Sequence, residues 1–187
     1  MKAAADPQLD PTLWTWHTGD GYKVALPAEW QPPKASDLAA DISTLQNLQN
    51  PGAAYGLAPK KESVSGKADL VLDNKQYKAL PGETPTRFTM TVTKKGGGAD
   101  AKAEMQALKQ SEYEMQHPEV TTLDLPVGKG YQVRHHWKNK TGDSVARVDI
   151  FLGDGERLFQ MTFTAMDKQN IYDVSGYVAQ SFRPVKA

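Results

Sequence analysis

The sequence predicts an α+β fold. The expected architecture is one antiparallel sheet of about six to eight strands flanked by helices, in the order β-β-α-β-β-α-β-β-β-β-α. Three observations carry this reading. Four β-prone runs between Val120 and Met166 follow one another with no helical pattern between them. Three other segments carry an apolar stripe at helical spacing. The two kinds of segment do not alternate strictly, which argues against a parallel β-α-β arrangement.

Taken in order, the first elements form a hairpin. "LWTWHT" and "YKVALP" are short β-prone runs separated by "GDG", a turn signal because glycine tolerates positive φ. Tyr22, Val24 and Leu26 share one face of the second run, and Lys23 and Ala25 share the other. Pro27 has no N–H for a sheet ladder and ends the strand. Pro32 and Pro33 delay the first helix until "SDLAADISTLQNLQNPG", with Ser36 as N-cap and Asp37 in the first turn. Leu38, Ile42, Leu45 and Leu48 form its stripe, and Asn50-Pro51-Gly52 ends it. Ala53 to Lys67 reads as a loop.

"ADLVLDN" and "RFTMTVTKK" are the next strands, the second with Phe88, Met90 and Val92 on one face and threonines on the other. After "KKGGGAD", a second helix is expected from about Asp100 to Gln116, with Ala101, Met105 and Leu108 on its apolar face. The four runs "VTTLDL", "GYQVRHHWKNK", "SVARVDIFL" and "RLFQMTFTAM" follow, joined by "PVGK", "TGD" and "GDGE". Links this short predict an antiparallel meander. A last helix from Lys168 to Phe182 places Ile171, Val174, Val178 and Phe182 on one side. With no repeat and no second composition regime, the chain divides into a flexible segment over 1–12 and a single domain over 13–187.

Composition then narrows the function. The 187 residues include 22 Lys plus Arg and 22 Asp plus Glu, for a formal net charge of zero. Nothing in that balance favours nucleic acid or an anionic membrane surface. No apolar run is long enough to span a bilayer. Cysteine is absent, which removes thiol catalysis, disulfides and cysteine-based metal sites together. The opening "MKAAADPQLDPTL" lacks the apolar core of a signal peptide. It fits either a cytoplasmic start or an exported chain after signal removal.

Candidate chemistry is sparse. His135 and His136 are adjacent on a strand, so they point to opposite faces and do not chelate one ion together. His135 shares a face with Tyr131, Val133 and Trp137 and reads as a hydrogen-bonded core histidine. "KKGGGAD" lacks the Lys-Ser/Thr of a phosphate loop and reads as a linker. "GDGE" lacks the oxygen-ligand series of a calcium loop and reads as a hairpin turn. No Ser sits in a nucleophile elbow. The sequence therefore names no catalytic residue, no metal ligand and no cofactor. The aromatic residues Trp14, Trp16, Tyr22 and Trp30 have two readings, as core packing and as anchors for a partner.

The segments "GYKVALPAEW" and "LFQMTFTAMDKQNIYDVSGYVAQSFRPV", set in this element order, resemble the PsbP-like fold. The resemblance covers the body after Thr12 and implies an α/β/α sandwich. That family includes photosystem-associated PsbP proteins, bacterial lipoproteins similar to DcrB, Ran-binding relatives and chaperone-like proteins for secretion effectors. It therefore implies a noncatalytic protein-binding or accessory module, of the envelope lipoprotein type or a secretion-related chaperone. The alternative is a small-ligand- or metal-binding protein with a cleft between sheet and helices. An extracytoplasmic location at the cell envelope follows from the same resemblance, with the cytoplasm as the alternative.

Overall fold

A computed structural model describes residues 1–2, 4–34, 68–77, 85–94, 101–111, 118–138, 144–166 and 168–185. Along the chain these form β1 (Trp14–Gly19), β2 (Tyr22–Pro27), β3 (Trp30–Gln31), β4 (Leu70–Asn74) and β5 (Arg87–Lys94). Then come α1 (Ala101–Ser111), β6 (Glu119–Leu125), β7 (Gly128–Lys138), β8 (Ser144–Gly153) and β9 (Arg157–Ala165). The chain closes with α2 (Lys168–Ser181) and β10 (Arg183–Pro184). The helix expected over 36–49 and the loop expected over 53–67 lie outside the described residues.

The α+β class and the antiparallel pairing hold, but the strands form two sheets where the sequence suggested one. The larger has seven strands in the order β3-β4-β5-β9-β8-β7-β6, and the smaller three in the order β1-β2-β10. The reason lies at Pro27. With no N–H to donate, β2 stops there, and the chain turns and enters the other sheet at Trp30, which pairs with Asn74. Two-residue strands such as β3 and β10 are too short to leave a periodic signal.

The meander is present as expected. Strands β6, β7, β8 and β9 pair consecutively and antiparallel, with no helix among the described residues between Gly130 and Met161. Its β8–β9 turn is tied by Asp154, whose Oδ1 accepts from the Glu156 amide at 3.0 Å and the Arg157 amide at 2.7 Å. The turn of the first hairpin is tighter. Gly21 has φ 77°, and a Cβ there would fall 1.4 Å from Arg157 Nη1. Arg157 thus lies over the backbone of the first hairpin, and the positive φ at Gly21 is one that residues with a side chain rarely adopt.

Alternation along the strands sorts residues to the two faces of the large sheet. On one face Phe88, Met90, Val148, Ile150, Leu152, Phe159, Met161 and Phe163 form the main core. The inner face of β2 (Tyr22, Val24 and Leu26) closes over it, together with Ile171, Val178 and Phe182 from the α2 region. Val174 is half-buried against the same cluster. On the opposite face Ala101 and Met105 of α1 pack on Val133, Phe151 and Leu158. Leu108's side chain lies outside the described residues.

The segment 1–12, expected to lead in flexibly, meets the body at several points. The Lys2 amide donates to the Val127 carbonyl at 2.8 Å. Ala4 packs on the main core, and Arg183 Nε donates to the Ala5 carbonyl at 2.8 Å.

Trp30 is 1% exposed and stands edge-on to Phe163 at 6.4 Å. Its indole seals the end of the core where the chain passes between sheets. Trp30→Ala is expected to cost about 3 kcal/mol, the scale of emptying a large aromatic site. Urea unfolding of the two proteins measures it as a shift in midpoint with little change in slope.

Candidate functional site

The same alternation that buries Tyr22, Val24 and Leu26 turns the rest of the small sheet outward. Trp16 stands opposite Ala25 and Trp14 opposite Pro27, so both tryptophans occupy the outer face. Trp16 is 37% exposed, and the Lys23 ammonium lies 5.3 Å from its ring centre, within cation–π range. Trp14 is half-buried and meets Tyr177 of α2 edge-on at 6.5 Å. Tyr177 and the neighbouring Leu13 are 67% and 61% exposed. Strand β1 is also the edge of its sheet. Trp14, which also packs against the main core, Trp16 and Tyr177 thus form an aromatic group beside an open edge.

Two of the four aromatic candidates are not in this group. Tyr22 is fully buried, stacked 6.4 Å from Phe182 and edge-on to Phe159 at 6.3 Å. Its place on the inner face of β2 follows from being one residue out of phase with Lys23. Burial and then the Asp69 carboxylate raise its phenol well above the usual tyrosine range. Trp30 belongs to the other sheet and is sealed beneath Phe163. No partner touches either without opening the core. Tyr177 was missed by sequence reasoning, although one signal existed: it is a large aromatic beside Val178 that falls off the apolar stripe of its helix.

A second constellation lies on the opposite face of the large sheet. His135 and Asp149 are both fully buried on adjacent strands, with Nε2 3.1 Å from Oδ2. This is the hydrogen-bonded core histidine that the sequence indicated, and His136 points to the other face, half-buried. Asp149 was not singled out, though it is a lone carboxylate inside the apolar run of β8. Its Oδ1 accepts from Thr162 Oγ1 at 2.7 Å, Gln160 Nε2 at 3.0 Å and Arg147 Nη2 at 3.0 Å. Its Oδ2 pairs with Arg147 Nε at 2.7 Å as well as with His135. Strands β7, β8 and β9 each contribute a donor to one carboxylate.

That geometry determines what the cluster does. A histidine–carboxylate pair orients a base in many hydrolases, but there the histidine faces a nucleophile. Here the nearby hydroxyl, Thr162, is bonded to Asp149 itself. Both oxygens of Asp149 are occupied from within the sheet. Its role is to hold three strands in register. Among the described residues, no group of three or more His, Cys, Asp or Glu is placed to hold a metal ion.

The charge of Asp149 survives its burial. Desolvation, the largest influence, acts to raise its pKa, but Arg147 and then His135 outweigh it and hold the carboxyl well below its ordinary value of 3.8. A folded-state pKa beneath the unfolded one contributes stability that is complete above the unfolded value and is lost as pH falls below about 4. Asp149→Asn leaves the Arg147 cation with a neutral partner and is expected to cost about 3–5 kcal/mol at neutral pH. The difference between the two proteins should shrink as acid is added. Urea midpoints at pH 7 and pH 3 test both the size and the slope.

No family model matches the chain, and no curated protein matches it. Solved structures do. A Bacteroides thetaiotaomicron structure aligns with a TM-score of 0.56 at 11% identity over 92% of this chain. The chain spans 48% of that protein's length. LpqN of Mycobacterium tuberculosis, described as involved in cell envelope biogenesis, aligns with a TM-score of 0.53 at 12% identity, over 92% of this chain and 91% of its own. The cyanobacterial PsbP (CyanoP) of Synechocystis aligns with a TM-score of 0.49 at 11% identity, over 96% of this chain and 97% of its own. The alignments at TM-scores of 0.56 and 0.53 show a shared α+β fold. At such identities the likeness concerns the fold alone.

Proposed function

We propose that the chain is a noncatalytic accessory module of the cell envelope that binds a protein partner through the outer face of β1 and the adjoining surface of α2. The observation that carries this reading is the partly exposed aromatic group of Trp14, Trp16 and Tyr177. Large aromatics left at a sheet edge suit a partner's apolar anchors, because they bury much area at little conformational cost. The burial of His135 supports the noncatalytic part, since an imidazole with no exposed surface is out of reach of a substrate. The link of LpqN to cell envelope biogenesis supports the location. No helix among the described residues is long and apolar enough to cross a membrane.

The test is capture from an envelope extract of the source cells on immobilised protein. Wild type is expected to retain a defined partner, and the double variant Trp16→Ala, Tyr177→Ala to retain it about tenfold less, with an unchanged melting temperature. A partner held equally by both proteins would place the contact elsewhere. The purified chain is expected to show no turnover in esterase, phosphatase and peptidase assays. Turnover abolished in a folded His135→Gln protein would overturn the noncatalytic assignment.

A further inference from the structure

The outer face of the small sheet also carries two cations side by side. Lys23 and Arg183 are directly opposed across β2 and β10. Arg183 is only 5% exposed, and a guanidinium so buried needs its donors met. Its Nη1 donates to the carbonyls of Gln180 at 2.9 Å and Phe182 at 2.7 Å, closing the end of α2. Its Nε turns to the N-terminal segment, donating to the Ala5 carbonyl at 2.8 Å and lying 4.0 Å from Asp6 Oδ1. The other oxygen of Asp6 pairs with the Lys23 ammonium, which in turn lies over Trp16. A main-chain carbonyl followed by a carboxylate thus occupies the Lys23–Arg183 pair, immediately beside the exposed tryptophan.

We infer that the Lys23–Arg183 pair is a recognition site for an extended acidic segment of a protein partner, and that the chain's own Ala5-Asp6 fills it as a displaceable strap. This rests on the reading of the Trp14–Trp16 surface as the partner site, and it names the chemistry of what binds there. The strap's main chain is anchored at Lys2, Ala4 and Ala5, but its carboxylate is lightly held. Asp6 and Lys23 side chains are 49% and 32% exposed, and ion pairs in such surroundings contribute little. Pro7 follows at once and has no N–H, so it cannot extend the strap's hydrogen bonding toward the sheet. What favours the strap is this anchorage together with covalent attachment, equivalent to an effective concentration of about a millimolar. A partner segment that presents the same carbonyl and carboxylate, and adds a contact with Trp16, outcompetes it.

Charge reversal on the strap exposes the site in the full chain, because Asp6→Lys opposes both Lys23 and Arg183. The probe is an eight-residue peptide of residues 1–8, "MKAAADPQ", with a second peptide carrying Asp6→Asn as control. Binding is read by calorimetry and by tryptophan fluorescence. The Asp6→Lys protein is expected to bind the first peptide about tenfold more tightly than wild type does. Binding should weaken at least about fivefold with the control peptide, and again when Lys23→Gln is added to the protein. Circular dichroism confirms the fold, and Asp6→Asn replaces Asp6→Lys should the latter fail to fold. A folded variant that binds neither peptide, or both equally, overturns the inference. Partner capture through Trp16 and Tyr177 is scored separately. Capture that persists without peptide binding sinks the strap alone, and peptide binding without capture sinks the wider partner surface.

Discussion

The closure of β2 over the large sheet is the contact on which the rest of the molecule depends. Tyr22 stacks on Phe182 and meets Phe159 edge-on, while Phe159 and Phe182 themselves touch at 5.1 Å. One aromatic knot thereby joins the small sheet, the large sheet and the end of α2. Ser181 reinforces it from the side: its hydroxyl accepts from the Ala25 amide at 2.9 Å and donates to the Val178 carbonyl at 2.7 Å. Because side chains alternate along a strand, committing Tyr22, Val24 and Leu26 inward leaves Lys23 and its cross-strand neighbours no choice but to face out. The proposed binding surface is the reverse side of the core contact.

The same logic of two faces explains the buried charge. Strands β8 and β9 are central, covered on one side by β2 and α2 and on the other in part by α1. A central strand covered on both sides ordinarily reads as an unbroken apolar run. Asp149 interrupts that run, so its charge has to be met from inside the sheet by Arg147, His135, Gln160 and Thr162. An apolar residue would pack as well, but it would not tie β7 and β9 to β8 with directional bonds. Directionality favours one pairing register, since a slip of a single residue would move Asp149 into the main core.

Fold and function separate cleanly in this chain. The Bacteroides structure and LpqN share its fold at 11–12% identity, and a shared fold does not carry a shared function. The candidate surface of this chain is built from the Trp16–Lys23 contact, the Trp14–Tyr177 pair and Asp6 beside Arg183. The proposed recognition thus belongs to the small sheet's outer face and not to the shared core.

Local sequence patterns determined much of this architecture. The phase of "YKVALP", the turn chemistry of "GDG" and "GDGE", and the four uninterrupted runs after Val120 were enough for the hairpin and the meander. Alternation alone also separated His135 from His136 and placed the former inside. These features depend on neighbours a few residues apart, whose geometry the backbone dictates. Only the tertiary structure decided the division into two sheets, the pairing of β5 with β9, and the return of β10 to β2. It alone decided between the two readings of Tyr22 and Trp30 in favour of the core, and brought Tyr177 beside Trp14 and Arg183 beside Asp6. Those partners lie far apart along the chain, and an exposed or buried aromatic has the same local pattern until the opposing surface is in place.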